Sequence, residues 1–272
     1  VTSTPLTLDF FHGLPHEGAR FRKRMNDLIS IQEKIHRIRV THEETALELS
    51  KLGFQGRIRK IPIGVDLNRF SPLLRKPATK ETLGFPEDAF VVGSFQKDGM
   101  GWGEGHIPKL EKGPDVLVET LRLIAARVPN LYVLLAGPSR GYVEESLKTL
   151  GVRFRSVGNV SDRTLADLYA CLSVYLVSSR LEGGPRALLE GMASGVPVVS
   201  TQVGQSEEVF GPDLKHLVCG SFRPEDLAGV VLEQVYDRNT HELRTIVRER
   251  AEEFSLGRIA HNWESFFKSD NP

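Results

Sequence analysis

The chain has 272 residues, 40% hydrophobic and 26% charged, with 35 basic residues against 35 acidic ones. This is a globular composition with enough apolar material for one or two cores, and its balanced charge argues against a nucleic-acid partner, which a basic domain would announce. No run of about 18 apolar residues suggests a membrane span and no signal-peptide pattern opens the chain, so a cytoplasmic protein is expected, with room for peripheral membrane contact.

In chain order, "LTLDFFHG" (6–13) reads as a buried strand, 17–36 as a long basic helix, "RIRVTH" (37–42) as a second strand and 43–52 as a second helix ending at Gly53. Two strands and two helices make half of a Rossmann-like domain and leave the apolar "LTLDFF" run without partners. Residues 1–74 are therefore expected to be a partial N-terminal domain, and the sequence to begin inside a longer protein. A short chain whose remnant packs on the larger domain, or on another subunit, is the alternative. "KIPIGVDLNRFSP" (60–72), with two prolines and a glycine, is an extended connector.

From about residue 75 to 254 apolar runs alternate with helical patterns. "AFVVGSF" precedes a helix from Gly113, "LYVLLAG" one from about 142, "VRFRSVG" one after Ser161, and "HLVC" one opening at Pro224. Alternating strands and helices predict an α/β fold, a doubly wound parallel sheet with ligands outside the carboxyl ends of its strands. Cys171 and Cys219 each sit in or beside an apolar run and read as buried free thiols rather than a disulfide or metal site. The last segment, 255–272, is amphipathic at helical spacing, with Ile259, Trp263 and Phe266 or Phe267 on one side. It is expected to pack back on the front of the chain.

"LEGGPRALLEGMASGVPVV" (181–199) places Glu182 and Glu190 on either side of a Gly-Gly-Pro break. Pro185 suits the first helical position and Gly195 a left-handed cap, which predicts a helix over 185–194 between two strands. Glu182 then lies in the loop at a strand's carboxyl end, and Glu190 roughly 8 Å along the helix axis from its start. That spacing is too wide for a carboxylate dyad, since retaining glycosidases need about 5 to 5.5 Å between carboxyl groups. It suits a clamp on a long ligand, with phosphate at the helix N-terminus and hydroxyls at each end. A nucleotide sugar has that shape, although two glutamates at this interval also arise without function.

The connector "IPIGVDLNRFSP", the helix opening "KGPDVLVETL", "ADLYACLSVYLVSSRLEGGPRALLE" and "MASGVPVVST" together resemble glycosyltransferase family 4, the group 1 glycosyltransferases of GT-B fold. The resemblance covers almost the whole chain from about residue 5. It implies that Glu182 positions the donor sugar and stabilises the transition state, and that Glu190 binds the ribose hydroxyls. It implies also that backbone N–H groups of Gly183, Gly184, Arg186 and Ala187 face the sugar and diphosphate, Pro185 having none to offer. A basic pair neutralises the diphosphate in this family. Lys112 matches one member, whereas the other, an arginine after a strand glycine, is here Ser94, and Lys97 is the replacement. The strand-end His12 in "FFHG" resembles a family histidine near the transferred sugar. Ile63 stands where the family often has Asn.

The chemistry agrees with these assignments. Charge builds on the departing diphosphate and needs fixed cations or a metal. No Asp-x-Asp pair is present to hold a divalent ion, so no metal and no cofactor is expected. The glycines at 99, 101, 103 and 105 do not make a dinucleotide fingerprint, because Pro108 and further loop intervene before the helix. They predict a long mobile loop over the donor site, from which Trp102 or His106 could close on substrate, a flexible insertion with no contact role being the alternative. Arg20, Arg22, Lys23 and Arg24 read as a solvated helix face, with an anionic membrane or acidic acceptor as the alternative. The expectation is a retaining, metal-independent transfer from a UDP- or GDP-sugar to a hydroxyl of a glycan or lipid-linked acceptor. A nucleotide-sugar-binding module without turnover is the main alternative, and a nucleotide-sugar epimerase of the same fold is a third that the two-glutamate pattern disfavours.

Overall fold

A computed structural model describes residues 6–12, 14–54, 57–72, 80–237 and 240–268. Gly13 of the first predicted strand and the expected domain boundary at 74/75 lie outside them. Among the described residues the strands form two parallel sheets. The front sheet contains β1 (Leu6–Asp9), β2 (Ile35–Val40) and β3 (Ile58–Lys60) in that spatial order. Between them run α1 (Ala19–Ser30) and α2 (Glu43–Leu49).

Two front elements differ from expectation. The basic helix ends at Ser30, and β2 starts at Ile35, because Ile35, Ile38 and Val40 are drawn into a small core with Met25, Leu49 and Phe54. Burial on a sheet here overrides a helical pattern that runs on past Ile31. The first strand is four residues long and among the described residues pairs only with β2, so Leu6 is 42% exposed while Leu8 and Phe10 pack on that core.

The second sheet has six strands: β4 (Phe90–Phe95), β5 (Leu131–Ala136), β6 (Phe154–Ser156), β7 (Val174–Val177), β8 (Val198–Thr201) and β9 (Val218–Cys219). Their spatial order is β6-β5-β4-β7-β8-β9, all parallel. The intervening helices are α3 (Pro114–Ala125), α4 (Gly141–Thr149), α5 (Asp162–Tyr169), α6 (Arg186–Ala193), α7 (Ser206–Phe210), α8 (Pro224–Val231) and α9 (Thr240–Glu252). The order reverses between β4 and β7, so right-handed crossovers place α3 and α4 on one face and α6 on the other. The central strands read as unbroken apolar runs because both faces are covered, and their side chains form the large core with both helix layers. Cys171 and Cys219 are buried free thiols.

The connector leaves β3 with the Ile61 amide donating to the Val40 carbonyl at 2.9 Å, and Val65 then pairs with Ser255. Helix α10 (Leu256–Lys268) buries Ile259 and Phe266 against Ile61 and leaves Phe267 60% exposed, which decides between the two phenylalanines. The Arg39 guanidinium lies 5.2 Å over the Trp263 ring, and Arg37 donates to the Phe267 carbonyl at 3.1 Å. No helix among the described residues is long and apolar enough to cross a membrane.

Candidate active site

The point where the strand order reverses is built on Gly113. Its φ of +59° and the Ser178 carbonyl, which would lie 1.9 Å from a Cβ, admit only glycine. This close approach sets the end of β7 against the start of α3 and brings Lys112 to Glu182. The lysine Nζ is 2.5 Å from Glu182 Oε1, which also accepts from Ser179 Oγ at 2.9 Å. The loop is fixed further by the Arg180 and Leu181 amides, which donate to the Glu111 carbonyl, and by a two-pronged Arg180–Asp115 pair at 2.6 and 2.7 Å.

Gly183 and Gly184 serve close packing between the two halves. A Cβ on Gly183 would lie 2.1 Å from the Phe11 carbonyl oxygen, and one on Gly184 would lie 2.6 Å from Ile63 Cδ1. Thr41 Oγ1 donates to the Gly183 carbonyl at 2.5 Å, and the Ile63 amide donates to Gln205 Oε1 at 2.8 Å. The apolar residue at 63 thus fills the space that Gly184 leaves open.

Helix α6 starts at Arg186, with Pro185 in the extended flanking position rather than at the first helical position, and Gly195 takes the left-handed conformation beyond its end. Its first-turn N–H groups, those of Arg186 and Ala187, have no acceptor inside the helix. Glu190, 8% exposed, accepts from the Tyr169 hydroxyl at 3.2 Å, and Arg186 Nη2 stands 3.7 Å from its other oxygen. Burial raises the Glu190 pKa, with Arg186 and Tyr169 working against that.

Glu182, Glu190, Lys97, Lys112, Gly184, Arg186 and Ala187 line one cleft of about 460 Å³, together with Lys109 and Phe11. Gly183 is not among the lining residues and packs instead against Phe11 and Thr41. His12 lies beside the cleft, edge-on to Phe11 and Phe21 with centroids 6.0 Å away, and is not among the lining residues. Burial lowers its pKa while the Glu182 charge opposes the shift. Arg22, Lys23 and Arg24 face solvent, and Arg20 lies 4.8 Å over the Phe21 ring.

The glycine-rich loop folds as a hairpin, bridged between Gly99 and Pro108. Met100 donates to the Ile107 carbonyl at 2.8 Å, Gly141 to Glu104 at 2.7 Å and Tyr142 to Gly105 at 3.0 Å, which dock the hairpin on the start of α4. His106 is held between Glu104 and Glu145 at 2.6 and 3.1 Å, away from the cleft. Beneath the hairpin, Asp98 and Arg140 pair at 3.1 Å with side chains 0% and 1% exposed. The guanidinium also donates to the carbonyls of Ser94, Gln96 and Ala136 and to Ser94 Oγ. Burial pushes Asp98 up to about 6 even against Arg140.

Four features escape a reading of the sequence: Lys109, Tyr169, the Asp98–Arg140 pair and the Thr41 bond to Gly183. Only Lys109 carries a signal, standing three positions before Lys112 in "PKLEK".

The model of the glycosyl transferases group 1 family matches residues 108–254, more than half of the chain. The chain belongs to this family. Among curated relatives of this group 1 chain, a D-inositol 3-phosphate glycosyltransferase of Xylanimonas cellulosilytica is 32% identical over 190 residues, covering 65% of the chain and 43% of the relative. A GDP-mannose-dependent alpha-(1-6)-phosphatidylinositol dimannoside mannosyltransferase of Mycobacterium tuberculosis is 27% identical over 218 residues, covering 78% and 52%. The chain thus spans about half the length of these relatives. HepE of Anabaena, solved with UDP and glucose, superposes with a TM-score of 0.77 at 19% identity over 97% of the chain and 72% of HepE. Sucrose-phosphate synthase of Thermosynechococcus elongatus superposes with a TM-score of 0.79 at 21% identity over 96% and 67%. These likenesses, with the two parallel sheets, show a Rossmann-like GT-B fold.

Proposed function

We propose that the protein moves a sugar from a UDP- or GDP-sugar to a hydroxyl of a glycan or lipid-linked acceptor, with retention and without a metal, in the cytoplasm. The observation that carries this reading is one cleft lined by Glu182, Glu190 and three lysines. Glu190, steadied by Tyr169, accepts hydrogen bonds from the ribose hydroxyls. Lys97 and Lys112, with the first-turn N–H groups of α6, take the diphosphate.

The bond from the anomeric carbon to the phosphate oxygen breaks as the acceptor oxygen attacks, and the acceptor's proton passes to the departing phosphate. Negative charge grows beside the lysines while positive charge grows on the sugar ring beside Glu182, where fixed charges act most strongly. His12, near enough to feel the Glu182 charge, is assigned a contact with the sugar on the family resemblance. Retention rests on the family resemblance. The fixed cations support the metal-independent reading.

Thermal unfolding with UDP, GDP, ADP and CMP tests the donor site. A nucleotide at a hundred times its Kd adds roughly 2.7 kcal/mol and raises the midpoint by about 5–10 °C. One nucleotide is expected to do so, and Glu190→Ala to abolish the shift. No shift with any nucleotide refutes the reading. The serine at position 94 favours a second reading, a module that binds the donor without turnover. Nucleotide binding with no transfer or hydrolysis of the sugar would select it.

A further inference from the structure

The hairpin between β4 and α3 brings to the cleft a charge beyond the lysine pair read from the sequence. Lys97 and Lys109 stand at its two feet, and both line the cleft. The feet are tied together, since the Lys109 amide donates to the Asp98 carbonyl at 2.7 Å, and Asp98 is fixed from below by Arg140. Glu182 pairs with Lys112, so its charge is directed at one lysine of the three. Trp102 stands against Lys97, its ring centroid 3.5 Å from the lysine Nζ, yet it is 84% exposed and does not itself line the cleft. The lysine thus touches the indole and also lines the cleft. A free lysine loses much rotamer freedom on gripping a ligand, and an aromatic face against its ammonium removes part of that freedom beforehand.

We infer that the hairpin replaces the arginine lost at Ser94: its feet deliver Lys97 and Lys109 to the donor's diphosphate, and Trp102 is the positioning residue for Lys97. Arg140 cannot take that part, because its guanidinium is buried and turned to Asp98 and three carbonyls. The inference rests on the donor-cleft reading given above. It makes the cleft selective for two phosphates over one, since the second phosphate is what the added cations meet.

Calorimetric titration of the whole chain with UDP, UMP, GDP and GMP tests it in the wild type and in Trp102→Ala, Trp102→Phe and Lys109→Gln. Diphosphate affinity is expected to fall about two- to fivefold in Trp102→Ala and about tenfold in Lys109→Gln. Monophosphate affinity should stay as in the wild type, and Trp102→Phe should bind like the wild type. A merely structural role would weaken both nucleotides alike. An unchanged preference for diphosphate over monophosphate in either variant overturns the role given to that residue. A folded wild type that binds no nucleotide sinks the donor-cleft reading itself, an outcome distinct from the first.

Discussion

Glu190 is a carboxylate held almost out of water, and the Tyr169 hydroxyl is its one close donor among the described residues. Tyr169 is also packed edge-on to Phe70 and Phe95 at 5.9 and 4.9 Å. The two roles separate in Tyr169→Phe, which keeps the ring and deletes the donor. We expect its nucleotide affinity to fall about fivefold, the worth of roughly 1 kcal/mol, with a similar loss of stability in urea. A variant that binds like the wild type would reduce Tyr169 to packing. At this scale the two glutamates are legible in the sequence because the Gly-Gly-Pro break and the helix that follows are local signals. Tyr169 is not, since its partner lies 21 residues away across a crossover.

The hairpin shows why elements are harder to read than residues. Glycine in a sequence is ambiguous between freedom and close approach. At 99 and 105 it is close approach, with the Ser139 carbonyl 2.4 and 2.3 Å from where a Cβ would stand. Nothing local to "DGMGWGEG" announces a docking surface as distant in the chain as Ser139. The buried Asp98 beneath it has a consequence for pH. Its pKa rises from 3.8 to about 6 in the folded chain, so across that window the folded state binds more protons than the unfolded one, and stability falls as pH rises. The shift corresponds to a loss on the order of 3 kcal/mol. Urea unfolding at a series of pH values across the window should show this slope in the wild type and lack it in Asp98→Asn. An identical slope in both would place its origin elsewhere. By contrast β4 to β9 and their helices follow the sequence closely, because most of these strands are apolar runs, β6 with its exposed Arg155 being the exception.

At the scale of the molecule the front half meets the second sheet at a glycine that leaves room for main chain. Gly183 lets the Phe11 carbonyl lie against the loop that carries Glu182, and Thr41 bonds the same residue. Gly183→Ala places a methyl group where backbone stands, and it is expected to cost about 1–3 kcal/mol of stability. Residues 6–54 should then exchange amide hydrogens faster while 131–201 do not. Uniform exchange in the variant would show the contact to be dispensable. This docking is the least legible part of the sequence: it depends on a glycine that reads equally well as a ligand-facing one, and on partners 142 residues away.

The chain passes between the halves twice, and both passages lie side by side. Val65 donates to the Phe254 carbonyl at 2.9 Å and its own carbonyl accepts from Leu256 at 3.0 Å. Two such crossings form a door pin. An opening that leaves them intact would keep the halves joined at this one place. The Thr41 bond to Gly183 is then the latch, made to the loop that carries Glu182, and a swing of the door would be registered first at that carboxylate.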